Sequence, residues 1–524
     1  MNTLQSADYF VFFLYFVLVA AYGIWIYQRK TAKNETAQEF FLAEGSLTWW
    51  AIGASLIASN ISAEHFIGMS GSGFAIGLAI SSYEWMSGLV LIIVALFFIP
   101  MFLKNKIYTM PQFLATRYSE QVSSIMALFW LLVYVFVNLT SIIYLGALAI
   151  TSIANISFMT CVVSLSIFSI IVTIGGMRVI GYTDVIQVAV LILGGLVTTY
   201  LSLTLLSKEF GFGEDVMAGL GILKNEAPGH FHLILEKGHP HYDKLPGLGV
   251  IFGGMLINNL AYWGCNQYIV QRALGADLAT ARNGILFAAF LKLLVPLIVV
   301  IPGIAMYVLH QNGLFQAEMS MDGVVKPDHA YPTLMNLLPS GLKGVAFAAL
   351  TAAVVASLAG KANSISTIFS LDIYKKMMQP EATEKQLVSM GRWAVIFSIS
   401  IAAAVAPALR SLDQAYQFIQ EYVGFLSPGV LAIFLLTIPL SATLKFLPDW
   451  TGGLFPVYPF LDRMFITFWM VFFLMILISL GTPAKVRRKE ILPFEKSMLG
   501  VTPTFIVGSI ILLGILAALY TVYY

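Results

Sequence analysis

Lys361 stands in the middle of an apolar run, VVASLAGKANSISTIF, that begins at Val354. Ser357 comes one helical turn before it and Ser364 one turn after, so a helix would carry all three on one stripe. An ammonium at membrane depth costs about 2.5–3.5 kcal/mol on insertion scales, so this stripe needs a compensating partner and marks a functional position. Two other apolar runs are interrupted by hydrogen-bonding groups. In IGASLIASNISAEHFIGMSGSG the interruption is Ser59-Asn60-Ile61-Ser62-Ala63-Glu64-His65; in GGMLINNLAYWGCNQY it is Asn258, Asn259, Gly264, Asn266 and Gln267. Irregular backbone survives at that depth only where it lines a cavity or is buried in protein, so both read as discontinuous helices around a polar site.

Composition sets the surroundings of these groups. The 524 residues are 59% hydrophobic and 11% charged, with a mean hydropathy of +0.84, too little polar surface to coat a soluble body of that size. The chain is therefore expected to be an all-α integral membrane protein, with the lipid bilayer as its solvent. A net charge of +2 gives no support for nucleic-acid binding. Cys161 and Cys265 lie far apart in apolar runs and suggest neither a disulfide framework nor a metal cluster. The pair in HPHYD (His239, His241) lacks the spaced set of three or four ligands that zinc needs, and reads as loop polarity.

A bilayer core of about 30 Å asks for roughly 20 apolar residues per helix. Segments of that kind are 9–27, 48–70, 76–102, 122–149, 158–175, 182–205, 248–271, 281–309, 344–374, 391–408, 414–438, 461–480 and 501–523. Counted from an external N-terminus, Arg29/Lys30/Lys33, Lys104/Lys106/Arg117, Arg178, Arg272/Arg282 and Lys375/Lys376/Lys385/Arg392 fall in loops on one side, which the positive-inside rule makes cytoplasmic. The basic stretch 482–496 then needs one more crossing before it. The only candidate, 437–448, is too short to span unaided. With or without it the count is 13–14 transmembrane helices.

The interrupted segments are the second and seventh in this order. Setting the first helix aside makes them the leading members of two groups of five with opposite topology, the inverted-repeat plan of secondary transporters. The expected organisation is an extra helix and loop over 1–47, a first five-helix repeat over 48–206, an external loop over 207–247, a second, inverted repeat over 248–438, and accessory helices over 439–524.

The phrases SLIASNISAEHFIGMSGSGFAIGLAISSYEWMS, IYTMPQFLATRY, YTDVIQV, NLAYWGCNQYIVQRALGA, ANSISTIFSLDIY and QAYQFIQEYVGFLSPGVLAIFLL occur in that order. Together they resemble the solute:sodium symporter family, in its sodium/glucose and sodium/galactose branch, over almost the whole chain. The resemblance implies the fold shared with bacterial leucine transporters, import of a hexose across the plasma membrane, and no enzymatic activity. Relatives also run from the tenth core helix into an eleventh through a short basic loop, where this chain is about twenty residues shorter, around Thr437. A sugar sensor is the competing class, and it would bind sugar without accumulating it.

The resemblance implies a sugar site of Asn60, His65, Glu84, Ser87, Asn259, Lys292 and Gln420. Hexose hydroxyls both donate and accept, and this inventory can answer both ways. His65 departs from the glutamine of a bacterial galactose carrier and resembles the histidine of animal glucose carriers, which leaves the preferred sugar open. Tyr262 is implied as an inner gate stacked on the sugar ring, with Met69, Tyr83 and Tyr416 covering the outer side. The bland reading of Glu84 and Lys292 is a buried ion pair holding helices together, and both descriptions can hold at once.

The implied coupling ion is Na+, held by the carbonyls of Ala58, Ile61 and Ala353 and by the side chains at 356 and 357. The family pattern has two adjacent serines there, whereas this chain has Ala356-Ser357 and so lacks one hydroxyl. Asp184, in YTDVIQV, matches a carboxylate near the sodium route and is the expected partner of Lys361. Tyr374 lies about 20 Å along the helix from Lys361, too far for the lysine to snorkel to the surface. Two readings follow. Either the pair is structural and a weaker sodium site persists, or the ammonium substitutes for the ion and transport becomes sodium-independent or proton-coupled.

Overall fold

Long apolar stretches without helix breakers leave the backbone one way to satisfy its N–H and C=O groups in lipid, which is the α-helix. The computed structural model describes residues 4–28, 36–43, 46–154, 156–321, 323–411, 434–481 and 495–524. In chain order its principal helices are α1 (Ser6–Gln28), α2 (Trp49–Asn60), α3 (Ser70–Ile76), α4 (Leu78–Lys104), α5 (Glu120–Thr151), α6 (Phe158–Ile174), α7 (Gly176–Glu209), α8 (Gly254–Cys265), α9 (Gln267–Leu274), α10 (Leu278–Gln311), α11 (Leu342–Met378), α12 (Glu384–Leu409), α13 (Phe434–Trp450), α14 (Phe460–Gly481) and α15 (Pro503–Val522). Nine of the described helices are long and apolar enough to cross a membrane.

The first interruption falls where the sequence puts it. α2 stops at Asn60, Ile61 turns extended (φ −75°, ψ 127°), and the chain resumes as a π-helical turn over Glu64–Met69 that runs into α3. Side chains hold the break open by taking the backbone donors that would have continued the helix. The Ser62 N–H goes to His65 Nδ1 (3.3 Å) and the Glu64 N–H to Ser62 Oγ (3.2 Å). Carbonyls at the end of α2 are thereby left for other partners.

The second interruption falls at the C-terminal end of the polar run that begins at Asn258. That residue sits inside α8, and the helix opens at Asn266 (φ −84°, ψ 122°). Tyr134 of α5 decides the place, since its hydroxyl donates to Asn266 Oδ1 and accepts the Gln267 N–H at 3.0 Å. The arginines counted as basic loop charges are also placed differently. Arg272 is 0% exposed on α9, and Arg282 is buried on α10 with its Nε donating to the Ala95 carbonyl at 3.0 Å. The short crossing expected over 437–448 is part of α13, which contains Pro439 and Pro448 and packs on α14.

The core is built on α11, which is nearly all buried up to Ile368 and packs most extensively against α7. α2 and α10 cross where two glycines meet: a Cβ on Gly53 would lie 2.6 Å from the Gly284 carbonyl oxygen. In lipid such close backbone approach replaces the hydrophobic drive that water would supply. Between α3 and α4, Gly77 turns the chain at φ +86° and ψ −150°, where an added Cβ would come within 2.4 Å of the His230 carbonyl oxygen. Gly77→Ala is therefore expected to cost about 1–3 kcal/mol or more, seen as a lower midpoint of thermal unfolding in detergent.

His230 helps hold that turn. Its ring stacks on Tyr307 (centroids 4.0 Å apart) and its Nε2 bonds the Phe74 carbonyl at 3.0 Å. The neighbouring pair, His239 and His241, has ring centroids 5.8 Å apart.

Candidate functional site

Residues from four helices meet beside the first break. Asn60 ends α2, His65 follows the break, Glu84 and Ser87 share a face of α4 three residues apart, and Asn259 and Tyr262 do the same on α8. Lys292 comes from α10, one turn before Pro296. Having no N–H, Pro296 cannot accept the helical role opposite the Lys292 carbonyl, which loosens α10 at the level of the cluster.

The bonds form two sets, one centred on Lys292 and the other on Asn259. Lys292 Nζ donates to Glu84 Oε2 and to Asn60 Oδ1, and it lies 5.2 Å from the Trp263 ring centroid. His65 Nε2 is 3.3 Å from Glu84 Oε1; because Nδ1 accepts the Ser62 N–H, the ring proton sits on Nε2 and donates to the carboxylate. Asn60 Nδ2 donates to Tyr262 Oη at 2.8 Å. Ser87 Oγ donates to Asn259 Oδ1 at 2.7 Å, and Asn259 Nδ2 to the Met255 carbonyl at 3.1 Å. Asn60, His65, Glu84, Ser87, Asn259 and Lys292 are all buried. The arrangement is thus both a buried ion pair and a dense array of donors and acceptors.

Of the expected gate residues, Tyr262 lies in the Lys292 set, its ring edge-on to Trp263 (5.2 Å) and to Tyr268 (5.8 Å). Met69 and Tyr83 are buried, and Tyr83 Oη has no hydrogen-bond partner among the described residues. Tyr416 and Gln420 lie outside the described residues.

A second polar centre forms where α2, α9 and α11 meet. Ser357 Oγ donates to the Ser59 carbonyl at 3.1 Å. Lys361 Nζ donates to Ser357 Oγ at 2.7 Å and to the Ser59 carbonyl at 3.4 Å, and it lies 4.6 Å from the Tyr268 ring centroid. The expected pairing of Lys361 with Asp184 is not what forms. Asp184 Oδ2 accepts from Ser55 Oγ and lies 3.8 Å from Arg272 Nη2, while Arg272 Nε donates to Ser55 Oγ (2.8 Å) and to the Ser55 carbonyl (3.0 Å). The guanidinium takes the carboxylate because α9 continues after Asn266 and swings Arg272 against α2. Lys361 is left with oxygens and an aromatic face.

Three participants here were not singled out from sequence. Arg272 could have been found, since QYIVQRAL keeps helical character up to Gly275 and so encloses it. The Ser59 carbonyl carries no signal, because any residue at the broken end would offer one. Glu64 sits in the polar run already noted, and its Oε1 accepts from Ser141 Oγ at 2.8 Å.

The model of the Sodium:solute symporter family matches residues 40–442. The chain belongs to the sodium:solute symporter family. Within that family, a sodium/glucose cotransporter of Vibrio parahaemolyticus is 42% identical over 99% of this chain and 99% of its own. The human sodium/myo-inositol cotransporter 2 is 32% identical over 83% of this chain, which spans 66% of that protein's length. Among solved structures, the substrate-bound outward-open state of a Na+-coupled sialic acid symporter matches with a TM-score of 0.76 at 20% identity, covering 91% of this chain and 98% of that one. The fold is therefore that of an all-α membrane transporter.

Proposed function

We propose that this symporter imports a hexose of the glucose or galactose type together with Na+, by alternating access. The observation that carries the reading is the buried set joining Asn60, His65, Glu84 and Lys292 across the broken helix. In it a carboxylate accepts, an ammonium donates, and the Asn60 amide does both. A sugar entering there exchanges its hydroxyls for these mutual bonds, and an analogue lacking a hydroxyl leaves a buried group unpaired.

On this reading Tyr262 closes the site toward the cytoplasm, while Met69, Tyr83 and Tyr416 close it toward the outside. The N-terminus is external, and the end of α11 with Lys375 and Lys376 faces the cytoplasm. Two five-helix groups, 48–206 and 248–438, rock against one another about the midplane site. Sodium enters as a co-substrate, and the oxygens suited to hold it are the carbonyls at the end of α2 (Ala58, Ile61), the Ala353 carbonyl and Ser357 Oγ. The fit rests on the break. The Ser62 N–H, which would have closed the helix onto Ala58, is turned to His65, and the His65 N–H bonds Ser62 O in place of Ile61 O. Binding of the ion couples to transport only by differing between the outward and inward states.

The test is accumulation of labelled glucose or galactose in proteoliposomes, with an inward sodium gradient and with potassium in its place. Accumulation above equilibrium only with sodium is the expected result; binding without accumulation would convert the reading to a sensor. Tyr262→Phe removes one hydrogen bond to Asn60, a loss of about 0.5–1.5 kcal/mol. It should raise the sugar concentration for half-maximal uptake about two- to tenfold, read from the concentration dependence of initial rates.

A further inference from the structure

One of the oxygens offered to sodium is already in use. Ser357 Oγ, the one side-chain ligand left beside Ala356, accepts a hydrogen bond from Lys361 Nζ at 2.7 Å, and the same ammonium reaches the Ser59 carbonyl at the broken end of α2. Lys361 is 3% exposed, so water does not disperse its charge. The Ser59 hydroxyl, buried and with no hydrogen-bond partner among the described residues, lies against Gly360, next to the lysine. Asp184 does not neutralise it, being held by Arg272 and Ser55.

We propose that Lys361 is a tethered competitor for the coupling cation: its ammonium occupies the sodium ligand Ser357 Oγ, beside the Ser59 carbonyl, and sodium binds by displacing it. The inference rests on the sodium-coupled reading above and deepens it. An ammonium and a sodium ion ask for the same oxygen lone pairs, and two unit charges a few ångström apart in a dry interior repel strongly, so both cannot use Ser357 at once. The displaced side chain has somewhere to go. Its long stem turns about its own bonds, and the Tyr268 face, already 4.6 Å from Nζ, remains as a cation–π seat once the two oxygens are given up. The physical consequence is a carrier whose empty site is never electrically vacant. The charge that stabilises the ion-bound core is partly present without the ion, so sodium affinity is low and the sodium-free carrier reorients readily.

The deciding experiment measures sodium binding apart from transport. Purified wild type, Lys361→Met and Lys361→Gln are titrated with 22Na+ in a scintillation-proximity assay, and the three are compared for sugar uptake in proteoliposomes as a function of external sodium. Both neutral variants should bind sodium about tenfold or more tightly than wild type, and half-maximal uptake should need correspondingly less of it. Lys361→Gln keeps a hydrogen bond to Ser357 and guards against a packing defect in the methionine variant. Equal 22Na+ affinity in all three, with wild-type uptake still stimulated by sodium, overturns the competitor and leaves sodium-coupled import standing. Wild-type uptake indifferent to sodium, with sodium dependence appearing only in the neutral variants, supports the competitor and overturns sodium coupling in the native chain. Indifference in all three overturns both.

Discussion

Lys292→Met is expected to lower sugar uptake about a hundredfold or more while leaving 22Na+ binding close to its wild-type value. The ammonium makes two charge-assisted bonds, to Glu84 and to Asn60, and contacts of that kind contribute about 1.5–3 kcal/mol each. Its removal leaves the Glu84 carboxylate buried with, among the described residues, His65 as its remaining partner, and takes the donor from Asn60 Oδ1. Arginine is not a substitute, because its planar fork cannot sit on both oxygens in the space of a single Nζ. Initial rates of labelled sugar uptake, on protein matched for monodisperse yield, provide the measurement. A rate within threefold of wild type would reduce the Glu84–Lys292 pair to a helix tie and remove the foundation of the sugar site.

Arg272→Met should produce the largest loss of stability in the molecule. Removing one member of a buried ion pair costs about 3–5 kcal/mol, because the partner charge stays behind uncompensated. Here the partner is Asp184, enclosed among α2, α7 and α9 with Ser55 as its remaining donor. Asp184→Asn should destabilise by a similar route, leaving the guanidinium with neutral acceptors at Ser55 and Tyr268. In the double variant no charge is stranded, so its unfolding midpoint should lie well above the sum of the single losses. Detergent-solubilised thermal unfolding followed by size-exclusion fluorescence reads all three. Strict additivity would mean that the two side chains, 3.8 Å apart in the structure, do not interact energetically.

These two predictions mark how much of the molecule could be read before its structure. Glu84 and Lys292 were visible as isolated charges in apolar runs, and charges at that depth must face a cavity or each other. The Asp184 pairing was not visible. Helical periodicity says which residues share a face with Lys361, but not which face of which other helix it meets. Whether Asp184 is closer to Lys361 or to Arg272 depends on the path of α9, and that path depends on where the second break falls.

The second break shows the same limit at the level of the backbone. Asn258, Asn259, Gly264 and Asn266 all lower helical stability, and local propensity, which ranks Gly264 the least helical, does not pick out Asn266. The opening is at Asn266 because the Tyr134 hydroxyl, contributed by α5, both accepts the freed Gln267 N–H and donates to the Asn266 side chain. Buried backbone donors must be satisfied, so the chain opens where a partner is waiting.

What the sequence determined by itself was the solvent, the all-helical class, the family, the place of the first break and the oddity of a lysine beside an incomplete pair of serines. The solvent, the class and the break follow from composition and from short-range spacing, which act within one helix; the family and the missing serine follow from the resemblance of the ordered phrases. Only the tertiary structure decided which charge pairs with which, that Arg272 and Arg282 are interior, and that the ammonium of Lys361 rests on Ser357 and Ser59. Those outcomes are set by helix crossings far apart in the chain, where electrostatic energy depends on distances of a few ångström that no local pattern encodes.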